Sequence, residues 1–393
     1  MRIGYLIPEF PAQTHAFFWR EAQGLADSGL QVRFLSTRRP AQDTSRHAFT
    51  ATARAQTAYL FPPSLRTALK LLLTRPRRAL RALAYVAGLT ETPPHRRAVL
   101  AGLLLPAAHL AALARREGLD HIHIHSFANA AHLGALCHRL GGPPFSLTLH
   151  GDLPVYGRDH AAKVAEAAFV TAVTEPLCAA IRATCPGSTP HHLSMGVDTE
   201  RFAPVVAAIT DGPLRITSIA RLNYVKGHAC LLDAMAALVA SGHDLTYAIA
   251  GDGPYRADIV AKVAQLGLGS RVTLLGPLSE DGVLALLRAS DVFALTSFGL
   301  GEAAPVAVME AMACGLPVIC SRIGGTGDMI ADGRDGILVP QQDVAAIAEA
   351  LTRLGDRATR HRIGQAARAT ALARFDYRHK AAELAALIRA SQA

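Results

Sequence analysis

The sequence predicts an α/β protein built from two doubly wound, Rossmann-like parallel-sheet domains that face a cleft. Three observations carry this prediction. The chain has 393 residues, which suits two domains of roughly 150–200 residues each. Short apolar strands alternate with helices in two separate series. Between the two series, residues 194–213 are polar, contain Pro and Gly and have little periodicity, as expected of a linker.

The first series begins at the N-terminus. Residues 2–7 form a short apolar strand that ends at a Pro-Glu-Phe-Pro loop, and apolar residues at helical spacing follow over 14–28, up to Gly29. Because parallel strands need crossover connections, this alternation predicts a parallel sheet in a first domain, residues 1–193. The other elements predicted there are strands at 31–36, 119–125, 145–150, 169–173 and 191–193 and a helix at 128–140.

The second series occupies a second domain, residues 194–375, and a last helix follows within 376–393. Ligands of doubly wound sheets bind beyond the carboxyl ends of the strands, so we expect the site in the cleft between the two domains. The predicted elements of this half are strands at 214–220, 245–250, 272–275, 292–295 and 318–320 and helices at 228–241, 259–266, 284–289 and 302–314.

Composition narrows the class of protein. Half of the residues are hydrophobic and 18% are charged, which is a globular composition. The six cysteines have no metal-finger spacing and predict buried thiols in a reducing compartment. The N-terminal apolar run is too short for a signal peptide, so a cytoplasmic protein is expected. The charge-free segment 98–114 holds Pro106 and is short for a membrane span, and a helix packed on the sheet explains it better.

Basic residues cluster between Ser64 and Ala82, where no acidic residue occurs. Leucines share approximately one helical face of this stretch, and Pro76 is expected to break it. The pattern favours either peripheral contact with an anionic membrane or the solvated face of an ordinary helix. No nucleic-acid-binding motif accompanies the net charge of +9, so no nucleic-acid partner is predicted. The basic residues are Arg66, Lys70, Arg75, Arg77, Arg78 and Arg81.

Two glutamates, Glu302 and Glu310, lie eight residues apart in an apolar, glycine-rich segment. In one continuous helix this spacing brings both carboxylates near the same face. Carboxylates accept paired hydrogen bonds, which suits the vicinal hydroxyls of sugars. Gly299 and Gly301 precede the helix, whose free N–H groups can hold a phosphate. Two solvated glutamates are the alternative, but that interpretation leaves the apolar setting unexplained.

The segment that contains both glutamates, residues 297–319, resembles the E-x7-E signature of the family 4 retaining glycosyltransferases, which have the GT-B fold. Arg221, Lys226 and Gly227 follow a predicted strand and are similar to a second motif of that family. The N-terminal half resembles the family more loosely, in its exopolysaccharide and glycolipid branch. The resemblance implies that the last helix crosses back to the first domain.

The resemblance also implies roles for single residues. Glu310 would bind the ribose hydroxyls and Glu302 would face the transferred sugar. Arg221 and Lys226 would neutralise the leaving diphosphate in place of a metal, and no Asp-x-Asp metal motif is present. Ala303, Ala304 and Pro305 would lie near the diphosphate, and Gly251 and Gly253 belong to a turn that follows the next strand in the family.

Histidines mark the expected acceptor domain. His150 ends a strand and matches the cleft histidine of the family, which contacts the donor sugar near the anomeric centre. His121, His123 and His125 alternate along one strand, either as zinc ligands or as a hydrogen-bonded row packed against helices, and the second interpretation is favoured. His125 comes last in the strand and is expected to reach the cleft. The first loop lacks the family's glycine pair, so Thr14 and His15 are the weak candidates there for contact with the donor phosphates.

Together these features predict a metal-independent hexosyltransferase without a cofactor, whose co-substrate is a UDP- or GDP-hexose. Retention of anomeric configuration is implied by the family alone. The acceptor is expected to be a membrane lipid or a lipid-linked oligosaccharide, with the protein peripheral on the inner face of the plasma membrane. The rival enzyme class is a phosphorylase or a nucleotide-sugar epimerase of the same fold, of which the phosphorylase fits poorly because it needs a lysine for pyridoxal phosphate and a longer chain. The remaining alternative is a non-catalytic nucleotide-sugar-binding or scaffold protein of the same fold.

Overall fold

The computed structural model describes residues 1–40, 45–205 and 212–392. The chain divides into two compact units. Unit 1 comprises Met1–Ser194 together with the segment that begins at Arg378, and unit 2 comprises Met195–Tyr377. Of the linker predicted at 194–213, residues 206–211 lie outside the described part of the chain.

Unit 1 is built on a seven-stranded parallel sheet with strand order β3-β2-β1-β4-β5-β6-β7. Every residue of the strands β4 and β5 is buried, as expected of central strands covered on both faces. The order reverses between β1 and β4, so their carboxyl ends open a crevice at this point of the sheet. The strands are β1 (Arg2–Glu9), β2 (Gln31–Arg38), β3 (Ala58–Tyr59), β4 (His121–Ile124), β5 (Phe145–Leu149), β6 (Phe169–Ala172) and β7 (His191–His192).

Several helices of unit 1 pack against strands of this sheet. Pro76 separates two helices, α3 and α4, which confirms the predicted break. Most of the charge-free segment near residue 100 lies in α6, which packs against α3 and α7. The helices are α1 (Ala16–Asp27), α2 (Thr50–Gln56), α3 (Leu65–Thr74), α4 (Pro76–Ala87), α5 (Pro94–Ala101), α6 (Leu104–Glu117), α7 (Asn129–Arg139), α8 (His160–Glu166) and α9 (Glu175–Thr184).

One helical stretch, Pro94–Glu117, is long and apolar enough to cross a bilayer by length and composition. Its most apolar window has a mean hydropathy of 1.7 and is 44% buried inside the protein. Core helices of soluble proteins meet the same criterion, and one such stretch is weak evidence for a membrane span.

Unit 2 is built on a six-stranded parallel sheet with strand order β10-β9-β8-β11-β12-β13. Here the order reverses between β8 and β11. Both sheets thus have the doubly wound parallel arrangement that the sequence predicts. The strands are β8 (Leu214–Ile219), β9 (Leu245–Ala250), β10 (Val272–Gly276), β11 (Val292–Leu295), β12 (Val318–Ser321) and β13 (Ile337–Val339).

The helices of unit 2 pack on its sheet and on one another. The helix predicted at 302–314 begins later, at Val306, so Glu302 lies in the loop before it. The helices are α10 (His228–Ala240), α11 (Arg256–Gln265), α12 (Glu280–Arg288), α13 (Val306–Ala313), α14 (Thr326–Met329), α15 (Val344–Gly355) and α16 (Arg357–Arg374).

The last helix, α17 (Tyr377–Ala390), completes the core of unit 1. Its residues Ala381, Leu384 and Ile388 are buried in the same cluster as Tyr5 of β1 and Phe18 of α1. Burial of two large aliphatic side chains contributes roughly 3–6 kcal/mol before entropy is counted. The N-terminal core of unit 1 therefore includes the C-terminal end of the chain.

Candidate active site

A lysine and a glutamate pair beyond the strand ends of unit 2, where the strand order reverses. Lys226 lies in a short 3₁₀ turn after β8, and Glu302 lies in the loop after β11. Lys226 Nζ is 2.5 Å from Glu302 Oε2, and the side chains are only 19% and 10% exposed. The Ser297 hydroxyl donates a second hydrogen bond to the same carboxylate oxygen, at 2.8 Å. The structure thus brings together two residues that are 76 positions apart in the sequence.

Close backbone packing holds the two loops together. Gly227 has φ +72°, and a Cβ there would lie 1.9 Å from the carbonyl oxygen of Thr296, so a side chain would collide. The Thr296 hydroxyl donates to the Gly227 carbonyl at 2.9 Å, and the Phe298 amide donates to the Val225 carbonyl at 2.8 Å. These contacts fix the Lys226 turn against the segment that leads to Glu302.

The backbone carbonyl of Glu302 is packed in the same way from the other side. Gly324 has φ +52°, and a Cβ there would lie 1.8 Å from the Glu302 carbonyl oxygen. The adjacent Gly325 amide donates to the Ala303 carbonyl at 2.7 Å. A glycine pair after β12 therefore holds the loop that carries Glu302.

Gly251 and Gly253 form the turn after β9 and pack against the loop that carries Arg221. Cβ atoms at these two glycines would lie 1.9 Å from the Ala220 carbonyl oxygen and 2.4 Å from the Leu222 carbonyl oxygen. The Leu222 amide donates to the Asp252 carbonyl at 2.9 Å. These glycines allow the close approach of two loops, a local role that the sequence alone does not specify.

Arg221 lies in that loop, five residues before Lys226, and its side chain is exposed. No side-chain partner of Arg221 occurs within the parts of the chain that the structure describes. An exposed guanidinium without a partner next to a paired lysine can bind an anion such as a diphosphate.

Glu310 lies within α13 and is half-buried, whereas Ala303, Ala304 and Pro305 are buried in the loop before that helix. Glu302 lies four positions before the first residue of α13, so the two glutamates do not belong to one continuous helix. Long-range packing by Gly324 holds Glu302 in its loop instead.

Three aromatic residues beside Lys226 received no role from the sequence. Tyr224 stacks edge-on against Tyr255 and against Phe298, at centroid distances of 5.4 and 5.1 Å, and its side chain is 58% exposed. An exposed tyrosine next to a motif lysine is the signal that could have marked this cluster.

Unit 1 gathers histidines beyond the strand ends at its own reversal point. His150 follows β5 and His125 follows β4, and His125 Nδ1 is 3.0 Å from His150 Nε2. Phe17 and Phe18 of α1 pack on the His150 ring at centroid distances of 5.7 and 5.5 Å. The His125 side chain is fully buried. That His125 reaches the cleft stays a prediction, and its partner within unit 1 is His150.

Burial governs the protonation of these histidines. It lowers the pKa of His150 to about 3, with a further lowering by neighbouring His125, and it lowers the pKa of His125 to about 3. An uncharged imidazole is favoured because the charged form loses its hydration. Both rings are therefore neutral near pH 7 and carry one ring proton each.

His121 and His123 form a buried hydrogen-bonded row with hydroxyl groups. The Ser146 hydroxyl lies 2.8 Å from His121 Nε2 and 2.7 Å from His123 Nδ1, and the Thr148 hydroxyl lies 2.9 Å from His123 Nε2. Glu21, His123 and His125 offer ligand atoms within 4.8 Å of one another, a spacing at which a metal can be considered. Both nitrogens of His123 already face hydroxyls, which favours the hydrogen-bonded row. That no metal is needed stays a prediction.

The basic stretch of the sequence lies on α3, α4 and the turn between them, and most of its cations are exposed. Arg75 is half-buried, and burial together with nearby Arg115 and Arg78 lowers its pKa. Leucines on the same two helices are also exposed. They are Leu65 (57%), Leu69 (49%), Leu73 (78%), Leu80 (65%) and Leu83 (42%).

This chain is similar to known proteins in sequence and in fold. The model of the family described as glycosyl transferases group 1 matches residues 200–370. The amylovoran biosynthesis glycosyltransferase AmsK of Erwinia amylovora is 34% identical over 174 residues, which are 43% of this chain and 43% of that protein. The chain thus spans less than half the length of this relative.

The alignment with a second relative covers a much larger share of both chains. The GDP-mannose-dependent alpha-(1-6)-phosphatidylinositol monomannoside mannosyltransferase of Mycolicibacterium smegmatis is 30% identical over 315 residues, 73% of this chain and 81% of that protein. Among solved structures, Anabaena Alr3699/HepE in complex with UDP and glucose has a TM-score of 0.74 at 19% identity and covers 99% of both chains. That likeness concerns the fold.

Proposed function

Because this chain belongs to the group 1 glycosyl transferases, we propose that it transfers a hexose from a nucleotide-diphosphate sugar to an acceptor, with retention of configuration and without a metal. The family and the α/β, two-Rossmann-domain GT-B fold predicted from the sequence are both confirmed. The specific reaction, its donor and its acceptor are the proposal.

The ion pair of Lys226 and Glu302 at the reversal point of the unit 2 sheet carries the proposal. Ligands of such sheets bind in the crevice outside the strand ends at this point. A cation, a carboxylate and the exposed guanidinium of Arg221 lie on the loops that border this crevice. Such a set suits a ligand that combines anionic phosphates with sugar hydroxyls.

In the proposed reaction the bond between the sugar C1 and the phosphate oxygen breaks, and its electron pair leaves on the nucleoside diphosphate. The acceptor hydroxyl oxygen bonds to C1 from the same face, and its proton passes to the leaving phosphate. Arg221 and Lys226 stabilise the negative charge that develops on the diphosphate. Glu302 accepts hydrogen bonds from the transferred sugar, and Glu310 accepts them from the ribose.

The phosphates would lie at the start of α13. Amide N–H groups in its first turn have no partner within the helix and favour an anion. The loop from Ala303 to Pro305 leads into this turn, and its residues are buried. Gly251 and Gly253 contribute indirectly, by fixing the loop of Arg221.

We extend the proposal to a lipid or lipid-linked acceptor at an anionic membrane, on its cytoplasmic face. Exposed cations and exposed leucines share α3 and α4, so a bilayer can satisfy both the charge and the apolar surface. The name of one relative, a phosphatidylinositol monomannoside mannosyltransferase, points the same way.

A donor panel tests the reaction. The protein is incubated with UDP-glucose, UDP-galactose, UDP-N-acetylglucosamine or GDP-mannose in the presence of EDTA, and the release of nucleoside diphosphate is followed. One donor is expected to be turned over slowly by hydrolysis, and Lys226→Met is expected to abolish this release. Lys262→Met is the matched control, since the Lys262 ammonium forms an ion pair with Asp233, at 2.7 Å. Tight binding of one donor without turnover, with or without added lipid acceptors, would favour a scaffold instead.

Vesicle sedimentation tests the membrane surface. Each basic residue near an anionic bilayer contributes about 1 kcal/mol, so R66Q/K70Q/R77Q is expected to weaken binding to phosphatidylglycerol vesicles by about 100-fold. The control is R353Q/R357Q/R362Q, which removes three exposed arginines of unit 2. Equal binding by the first variant and the wild type would remove the membrane from the proposal.

A further inference from the structure

A carboxylate and two histidines form a buried chain at the reversal point of the unit 1 sheet. Tyr5 of β1 donates its hydroxyl to Glu21 Oε1 at 2.7 Å. The same carboxylate oxygen lies 3.3 Å from His125 Nε2, an electrostatic contact whose geometry is not that of a hydrogen bond. His125 Nδ1 then lies 3.0 Å from His150 Nε2. The chain connects α1 with the ends of β4 and β5.

The charges along this chain determine where the ring protons lie. A neutral His125 has one N–H, and an ionised Glu21 favours that proton on the nitrogen that faces it, Nε2. His125 Nδ1 is then the acceptor, so His150 must donate from its own Nε2. The opposite arrangement would turn a nitrogen lone pair toward the carboxylate oxygen, which is repulsive.

The remaining nitrogen of His150 is thereby left without a proton. Nδ1 of this ring is buried and has no hydrogen-bond partner in the described residues. Buried polar atoms are nearly always paired in folded proteins, so an orphan acceptor beside an expected substrate site calls for a partner from outside the chain.

We propose that Glu21 and His125 are positioning residues that hold His150 in its Nε2–H tautomer, so that His150 Nδ1 is left to accept a hydrogen bond from a hydroxyl of a bound sugar. That the hydroxyl belongs to a sugar rests on the proposed function, whereas the tautomer of His150 does not. Phe17 and Phe18 keep the ring in place by packing on its faces and edges. The low pKa values of both histidines agree with two neutral rings.

Nitrogen NMR of the free protein tests the tautomer without any substrate. Long-range proton–nitrogen spectra of ¹⁵N-histidine-labelled protein distinguish the two neutral tautomers, and comparison with His150→Gln identifies the signals of His150. The wild type is expected to be protonated at Nε2. Glu21→Gln removes the charge at constant size and is expected to give a mixture of tautomers. Tyr5→Phe, the control, retains the carboxylate and is expected to keep the wild-type spectrum.

Kinetics test the consequence of this arrangement. Glu21→Gln is expected to lower kcat by about tenfold or more, the effect of removing a partner that orients a functional imidazole, with a smaller change in KM. Glu21→Asp is expected to recover part of the rate. Protonation of His150 at Nδ1 in the wild type, or an unchanged tautomer in Glu21→Gln, would overturn the positioning role. A mixture of tautomers with an unchanged kcat in Glu21→Gln would overturn the contact with the sugar. A wild type that turns over none of the donors would overturn the proposed function but not the tautomer.

Discussion

Replacing Lys226 by Met tests whether the ion pair with Glu302 stabilises unit 2. The substitution keeps the length of the side chain and leaves a carboxylate that is 10% exposed, to whose Oε2 atom the Ser297 hydroxyl still donates. Removing one partner of a fully buried pair costs about 3–5 kcal/mol. Because Lys226 is 19% exposed, we expect a loss nearer to about 2–3 kcal/mol.

A double-mutant cycle isolates the pair. In K226M/E302Q the unpaired charge is gone and the new amide oxygen at position 302 can still accept from Ser297, so we expect about 1–2 kcal/mol of the loss to be recovered. For a unit of roughly 180 residues, about 2–3 kcal/mol corresponds to a Tm lower by about 4–12 °C. Thermal unfolding followed by circular dichroism measures this, with K262M as a control for a more exposed pair, expected to lose less than about 1 kcal/mol. A coupling energy near zero would refute the reasoning.

Two further predictions concern backbone packing and acid stability. Gly324→Ala is expected to displace the Glu302 loop and to weaken nucleoside diphosphate binding at least about tenfold. The control is Gly267→Ala, also at positive φ but in open space, which is expected to lower only the free energy of unfolding, by the roughly 1–2 kcal/mol of a left-handed alanine. Equal binding by both variants would contradict this. Burial lowers the pKa of His121 to about 4, of His125 to about 3 and of His123 well below its usual value. Since unfolding restores ordinary pKa values near 6.5, the unfolded chain binds more protons below that pH, and unit 1 is expected to lose about 1.4 kcal/mol per pH unit for each of these histidines as the pH falls from about 6.5 to about 5. Urea unfolding followed by the fluorescence of Trp19 measures this loss, and a pH-independent midpoint would contradict it.

Local sequence patterns predict the two parallel sheets well, because the spacing of apolar residues along a strand or helix is a property of a short segment. The strand predicted at 145–150 is β5, and the helix predicted at 228–241 is α10, each within one residue at its ends. The start of α13 could not be predicted in this way. The loop before it, which carries Glu302, packs against Gly324 from a distant part of the chain.

The candidate site, like the fold, is predictable from sequence only in part. The motif residues Lys226 and Glu302 are recognisable from sequence, but their contact depends on the order of strands in the sheet. Glu21 carried an available signal that was missed. It follows Phe17 by four residues and Phe18 by three, and so lies on the helix face predicted to be buried, where a carboxylate needs a polar partner.

Binding of nucleoside diphosphates tests the central claim most directly, that Arg221 and Lys226 hold the donor diphosphate in unit 2. Calorimetric titrations with UDP, GDP and the corresponding nucleosides would be compared for the wild type, R221Q/K226M and K262M. We expect one diphosphate to bind the wild type and K262M equally, its nucleoside to bind far more weakly, and R221Q/K226M to lose about 100-fold or more, since hydrogen bonds to charged groups contribute about 1.5–3 kcal/mol each. Unchanged affinity in R221Q/K226M would contradict the account.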